Sequence, residues 1–442
     1  MDKDKKEPKN TPSKFSSPSR VSKETMEGKG KLDWVSQNDH RAIGEALDLF
    51  SFHEIAPGTA FWHGKGMIIF RELEKLIREE LDQAGYEEIS TPIMVKKEVF
   101  EKSGHWQYYR ENMFYFDEDK PIRQAQGRQT YVLKPMNCPE STYVYSSKIR
   151  SYKDLPLRLS EIGRLHRNEL SGVLGGLFRA RQFTMDDAHI YLRPDQIQME
   201  VSSLLKLVTK VYAIFGFSPK FYLSTMPEKA MGDKKDWDKA EQALAMALKE
   251  NKMKYELKEK DGAFYGPKID IEIKDSLGRS WQLATIQLDL VMLPKQFSLS
   301  YIDEKGQKQK PMVIHRAVYG SFERFIGILL EHFEGALPLW LSPVQAVVLP
   351  LSEKFFKYAA QVFEEFKKAG VRVEVSGVNE TLGKRIREAE MQKIPYVIVV
   401  GEKEELAKTV NVRKRGDKAN IEVKLEELIN KLRKEIEERT IS

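Results

Sequence analysis

Residues 164–189 read RLHRNELSGVLGGLFRARQFTMDDAH. Strand-like ends flank a middle containing Gly172, Gly175 and Gly176, so the stretch predicts two strands joined by a long turn, with Arg167, Glu169, Arg179 and Phe183 around it. Working outward, residues 131–135, 157–163 and 180–192 read as strands or their connections, with Tyr86–Pro92 as an earlier strand. Further on, Lys268–Lys274 alternates through IDIEI, and Arg279–Leu290 is strand-like. Strands that succeed one another without a regular helix between them predict a mostly antiparallel sheet with helices packed on it, an α+β fold. Those helices are expected at Met67–Ala84, where Ile69, Phe70, Leu73, Leu76, Ile77 and Leu81 recur at helical spacing before Gly85, and at 196–215 and Ser321–Phe333.

The texture changes after Leu337-Pro338. An apolar run at Val344–Leu351, a helix at 353–369 closed by Gly370, a strand at Val371–Val375, a helix at 380–393, strands at Tyr396–Val400 and Thr409–Arg415 and a helix at 424–438 predict a small α/β domain. The expected division is a disordered basic tail over 1–31, a large domain over 32–340 and a second domain over 341–442. The tail carries nine basic residues against five acids, and its few apolar side chains cannot offset the entropy of ordering it. Residues 338–442 are also basic, at +3, which leaves the body between them at −1. A near-neutral body with two basic extremities suits a chain that grips a polyanion.

Several classes are excluded. A hydrophobic fraction of 41% and a charged fraction of 31% lie in the globular range, not the disordered or collagenous one. The most apolar run, Phe325–Leu341, is broken by Glu331, His332 and Glu334, so no transmembrane span is expected. One cysteine forms no intramolecular disulfide, and a reducing compartment, the cytoplasm, is the expected location. Between Gly58 and Gly64-Lys65 stand five residues, one too many for a phosphate-binding loop, and Gly66 follows where Ser or Thr is required. A nucleotide would therefore be held by side chains, arginines above all.

Cys138, in KPMNCP, reads by itself as a small buried hydrophobe or as a ligand. His189, in DDAH, and His315, in PMVIH, both sit at strand-like positions. One Cys and two His would leave a fourth zinc position open, the arrangement of a catalytic site. Arginine pairing with anions and aromatic stacking around the 164–189 turn would suit ATP, against the plainer reading of a charged surface hairpin.

With KPMNCP, LHRNE, FTMDDAHIY, GAFYGPKID, WQLATIQLDL and HRAVYGSFERFIGIL in this order, the chain from Asp39 to about Glu438 resembles the threonyl-tRNA synthetases, a family of class II aminoacyl-tRNA synthetases. The resemblance implies an antiparallel catalytic sheet flanked by helices, with a C-terminal anticodon-binding domain. It further implies ATP-dependent ligation of L-threonine to tRNA(Thr) through a threonyl-adenylate, with Mg2+ accompanying ATP. One zinc ion per subunit is implied on Cys138, His189 and His315, chelating the amino and hydroxyl groups of threonine. Asp187 would accept the substrate hydroxyl and Tyr265 meet its amino group, with Lys268 and Gln287 close to the amino acid. Arg167 would bridge the α-phosphate and the carboxylate, and Arg324 hold the γ-phosphate, while Glu169, Arg179, Phe183 and Gln282 hold the nucleotide. His105, in SGHW, matches the proposed base of the transfer step, and Asn379, Glu404 and Arg413 match anticodon contacts. The helix at 67–84 and the strand after it resemble the dimer-forming segment, implying a homodimer.

The sequence departs from the family at Met185, where glutamine is usual, at Asn137-Cys138-Pro139-Glu140-Ser141 and at Leu170. Longer family members carry amino-terminal modules, including an editing domain. Only the basic tail precedes Asp39, so no editing in cis is expected, and a separate editing protein is a possible partner. The alternatives are a non-catalytic tRNA-binding paralogue and a sister enzyme for another amino acid such as proline. Retention of every motif arginine and of the Cys, His, His set speaks against both.

Overall fold

A face of apolar residues selects the first large helix, α1 (Gly64–Gln83), on which Ile69, Phe70, Leu73, Leu76, Ile77 and Leu81 are all buried. Its end follows from local chemistry. Gly85 adopts φ +72°, its N–H donates to the Asp82 carbonyl, and the Tyr86 N–H donates to the Leu81 carbonyl, the paired bonds of a Schellman cap. The computed structural model describes residues 38–117, 129–275, 278–417 and 419–441; the tail expected over 1–31 lies outside the described residues.

Eight strands build the main sheet: β1 (Glu87–Glu88), β2 (Leu157–His166), β3 (Gln182–Leu192), β4 (Lys220–Ser224), β5 (Tyr255–Lys258), β6 (Lys268–Lys274), β7 (Ser280–Asp289) and β8 (Met312–Ser321). Their spatial order is β5-β4-β6-β7-β8-β3-β2-β1. Pairing is antiparallel from β4 through to β2 and parallel only at the two edges, β4 with β5 and β1 with β2. Alternation divides the two faces. Ala188, Ile190, Ile286, Leu288, Ile269 and Ile271 join the core formed with α1, α3 (Ile197–Ala213), α4 (Lys234–Glu250) and α5 (Phe322–His332). The residues one position away along each strand carry the polar groups of the opposite face. Above that face lies α2 (Cys138–Tyr145).

The strand expected over Tyr86–Pro92 is paired only at Glu87–Glu88. Thr91 instead gives both its N–H and its hydroxyl to the Glu161 carboxylate, at 2.8 and 3.0 Å, so a side chain replaces the ladder.

The C-terminal sheet contains β9 (Ala346–Pro350), β10 (Val373–Val375), β11 (Tyr396–Val400), β12 (Thr409–Lys414) and β13 (Ile421–Lys424), in the order β10-β9-β11-β12-β13. The first three are mutually parallel and the last two antiparallel. The crossovers are α6 (Phe356–Lys368) and α7 (Leu382–Met391); α8 (Glu402–Ala407) follows β11 and α9 (Leu425–Glu437) ends the chain. Val348, Ile398, Val362, Phe366 and Leu432 form a separate core there. Arg372 ties this unit to the larger one through Glu72, 2.6 Å away, and through the Trp340 carbonyl.

Candidate active site

Register places the site. Lys268 on β6 pairs with Gln287 on β7, Gln287 with His315 on β8, and His315 with His189 on β3, a row running straight across the sheet. Two residues along each strand, on the same face, lies a second row, Asp270, Thr285, Ala317, Asp187 and Glu161. Gln282 is out of phase with Gln287 along β7, yet a bulge opposite Ile271/Glu272 shifts the register and pairs it with Glu272. Its amide then donates to Asp270 Oδ1 at 2.6 Å, on the same face as the rows.

Cys138 opens α2, with Pro139 in its first turn. This helix start brings the sulfur to the two imidazoles, and one ligand atom from each of Cys138, His189 and His315 lies within 4.8 Å of the others. His189 Nε2 and His315 Nδ1 are buried and have no hydrogen-bond partner among the described residues. Such groups are costly unless something else engages them. The other nitrogen of His315 lies 3.3 Å from Asp289 Oδ2, and Asp289 is itself fixed by the backbone N–H groups of Val291, Met292 and Leu293. A carboxylate behind an imidazole orients it as a metal ligand. Burial, followed by the charges of Asp187, Glu140 and Asp289, raises the Cys138 thiol well above its ordinary range, and burial lowers His189. A thiolate at this place requires a cation beside it. The donor set and the two orphaned nitrogens fit zinc.

Beside the triad, Asp187 is pushed up to about 6 by burial and accepts from Asn137 Nδ2 at 3.3 Å. Asn137 reaches it by lying across Gly163, where a Cβ would stand 2.4 Å from Asn137 Oδ1. Tyr265 packs 5.2 Å from the His315 ring and gives its hydroxyl proton to Gln287. Lys268 spends its charge on Asp270, at 2.8 Å. His105 is buried nearby, its Nδ1 2.8 Å from Ser103 Oγ; burial first, then the charge of His315, hold it down to about 4.

The arginines gather at the other end. Arg167 lies 4.9 Å from the Phe183 ring centre and donates to the Pro135 carbonyl, and Arg179 pairs with Glu169 at 2.8 Å. Arg324, near the start of α5, donates to the Phe178 carbonyl at 3.0 Å. Burial lowers its proton affinity, and the positive charges of Arg167 and Arg179 lower it further. Three guanidinium groups lie close enough to feel one another, with Arg179 paired to Glu169 and the other two held on carbonyls, an arrangement that suits a polyanion.

In the smaller unit, Asn379 is exposed in the loop before α7. Glu404 is buried and caps α8 by accepting the Gly401 N–H at 2.9 Å, and Arg413 pairs with Glu390 at 2.8 Å. Among the described residues no hydrogen bond or ion pair joins these three to one another.

Sequence reasoning missed Asp289, Asn137 and the buried Lys134–Glu161 pair, 2.8 Å apart, which underlies the Asp187 row. Lys134 and Asn137 stand in KPMNCP and Asp289 in WQLATIQLDL, so each lay within a quoted motif, but nothing local assigned it a role.

The match of residues 116–333 to the tRNA synthetase class II core domain (G, H, P, S and T), and of 345–435 to an anticodon binding domain, gives the class: a class II aminoacyl-tRNA synthetase core followed by an anticodon-binding domain. The threonine--tRNA ligase of Caldanaerobacter subterraneus subsp. tengcongensis is 49% identical over 92% of this chain and 62% of its own length; that of Carboxydothermus hydrogenoformans is 50% identical over 87% and 59%. A crystal structure of the RNA binding domain of threonyl-tRNA synthetase from Cryptosporidium parvum Iowa II superposes with a TM-score of 0.83 at 41% identity, covering 89% of this chain and 97% of that one. The chain belongs to the threonyl-tRNA synthetase family. It spans about three-fifths of the length of the curated relatives it matches. None of its described helices is long and apolar enough to cross a membrane.

Proposed function

We propose that this chain ligates L-threonine to tRNA(Thr) in two steps, with ATP and Mg2+ as co-substrates and one zinc ion per subunit held by Cys138, His189 and His315. The convergence of those three ligand atoms, with two orphaned imidazole nitrogens, is the observation that carries the reading. When bound, zinc supplies a Lewis-acid centre for the amino and hydroxyl groups of the amino acid. Asp187 accepts from the substrate hydroxyl, and Tyr265, backed by Gln287, faces the amino group. Lys268 and Gln282, both fixed on Asp270, form the floor of the pocket.

In the first step the threonine carboxylate attacks the α-phosphorus of ATP, the bond to the β-phosphate oxygen breaks, and pyrophosphate leaves. Arg167 bridges carboxylate and α-phosphate, Arg324 holds the γ-phosphate, and Glu169, Arg179 and Phe183 fix the nucleotide. In the second step the terminal ribose hydroxyl of tRNA attacks the acyl carbon and AMP leaves. His105, kept neutral by burial, accepts the hydroxyl proton; the same burial makes it a weaker base than a free imidazole. Asn379, Glu404 and Arg413 present a polar surface to splayed anticodon bases. The catalytic domain takes 32–340, the anticodon domain 341–442, and two chains pair through the α1–β1 region.

ATP–pyrophosphate exchange with a panel of amino acids tests this. Threonine-dependent exchange lost in Cys138→Ala supports it, and silence with every amino acid rejects it in favour of a tRNA-binding role alone. His105→Ala should retain exchange and lose about tenfold or more in transfer.

A further inference from the structure

The seven-residue helix His40–Ala46 precedes both regions matched by family models, yet its first residue reaches the turn that leads into Arg179. The buried His40 ring stands 2.7 Å from Glu331 Oε1 through Nδ1, and the Leu177 N–H donates to Nε2 at 3.0 Å. A backbone N–H only donates, so Nε2 is the acceptor and Nδ1 carries the proton that goes to Glu331. Both nitrogens are thereby used, which removes Asp39, His40 and Glu331 as a cation site even though their ligand atoms cluster. Glu331 is anchored in turn by Arg279 and by the His40 backbone N–H.

The turn gripped by His40 is the one that aims the arginines. Gly176 holds φ +56° and approaches so closely that a Cβ there would lie 2.3 Å from His40 Nε2. Phe178 packs 4.1 Å from the His40 ring, and its carbonyl accepts from Arg324 Nε. Arg179, the next residue, pairs with Glu169.

We infer that His40 is a positioning residue for ATP: by holding the Gly176–Arg179 turn through Nε2 it sets the directions of Arg324 and Arg179 toward the triphosphate. The inference rests on the ATP-dependent reading above. Asparagine places an amide where Nδ1 stands, and glutamine places one where Nε2 stands, so the two substitutions separate the Glu331 bond from the Leu177 bond.

The test is ATP affinity of the full chain by calorimetry, together with KM for ATP and for threonine in pyrophosphate exchange, on His40→Gln and His40→Asn. Expected are a Kd and KM for ATP within about threefold of wild type in His40→Gln and raised about tenfold or more in His40→Asn, the effect of one lost buried bond, with KM for threonine unchanged in both. Equal ATP affinity in the two variants overturns the inference. So does a parallel rise in both KM values accompanied by a lowered melting temperature, the mark of a merely structural residue. Should wild type show no exchange, the activity reading fails alone, because the difference in ATP affinity between the two variants is still measured directly.

Discussion

His189 and His315 are register partners on neighbouring antiparallel strands, with ring centres 4.8 Å apart and planes at 83°, and each buries one nitrogen that has no hydrogen-bond partner among the described residues. One nitrogen of each ring lies within 4.8 Å of the other and of the Cys138 sulfur. Replacing either histidine by alanine should cut zinc from about one per chain to a small fraction, read by plasma mass spectrometry after dialysis. Asp289→Asn should keep the metal at about 10–100-fold lower affinity, because only the orienting partner is changed. Full zinc in His315→Ala would dismiss the triad.

The proposed chelation through an amino and a hydroxyl group would set a definite selectivity. Valine offers no hydroxyl to the metal or to Asp187, and a site built for a polar group rejects the analogue lacking it by about 10⁴-fold or more. Serine offers both groups and lacks one methyl, which is worth only about 10–200-fold. Exchange rates should rank threonine, then serine, then valine with those gaps. A valine rate close to that of serine would mean that the hydroxyl is not read.

The cationic excess around Arg324 has a kinetic counterpart. Its proton affinity is lowered by burial and by two neighbouring guanidinium groups, a cost that a triphosphate would relieve. Arg324→Ala should reduce kcat/KM for ATP by about 10²–10³-fold with metal content intact. Activity near wild type would move the γ-phosphate elsewhere.

How much of this was legible in the sequence depended on range. The β2–β3 hairpin, α1 and the whole of β6 were written in local periodicity and turn residues. Helix α4 was not anticipated: its buried stripe is Trp237, Ala240, Leu244, Ala247 and Leu248, and small alanines among many charges blur a 3.6-residue period. Helix α2 was missed because its buried positions include Glu140, Ser141 and Thr142. Cys138, His189 and His315 were named from motifs, but their meeting depends on a register set by hundreds of side chains. Partners such as Lys134 and Glu161, or His40 and Glu331, lie 27 and 291 residues apart, and no local rule pairs them.

Lys134 and Glu161 form an ion pair with both side chains nearly inaccessible, and Lys134 also donates to Thr91. Removing one partner strands a buried charge. Lys134→Met should therefore destabilise the chain by about 3–5 kcal/mol, whereas Lys134→Met combined with Glu161→Gln, which removes both charges and keeps an oxygen for the Thr91 N–H, should recover most of that loss. Melting curves of the three proteins decide the matter; additive effects in the double variant would show that the charges do not compensate each other.

Glu323 supplies a pH test whose sign runs opposite to that of a surface carboxylate. It is buried at the start of α5, accepts the Thr184 N–H at 2.8 Å, and is pushed by burial from 4.5 up to about 7. As pH rises from 4.5 to 7 the unfolded chain gives up this proton while the folded one keeps it, so the folded state binds more protons and stability falls. The contribution is fully present below pH 4.5 and lost above 7, a total of about 3 kcal/mol. Glu323→Gln keeps the accepting oxygen and does not ionise. Its melting temperature should match wild type below pH 4.5 and exceed it by a few degrees at pH 8, whereas a difference independent of pH would show that Glu323 does not titrate in this window.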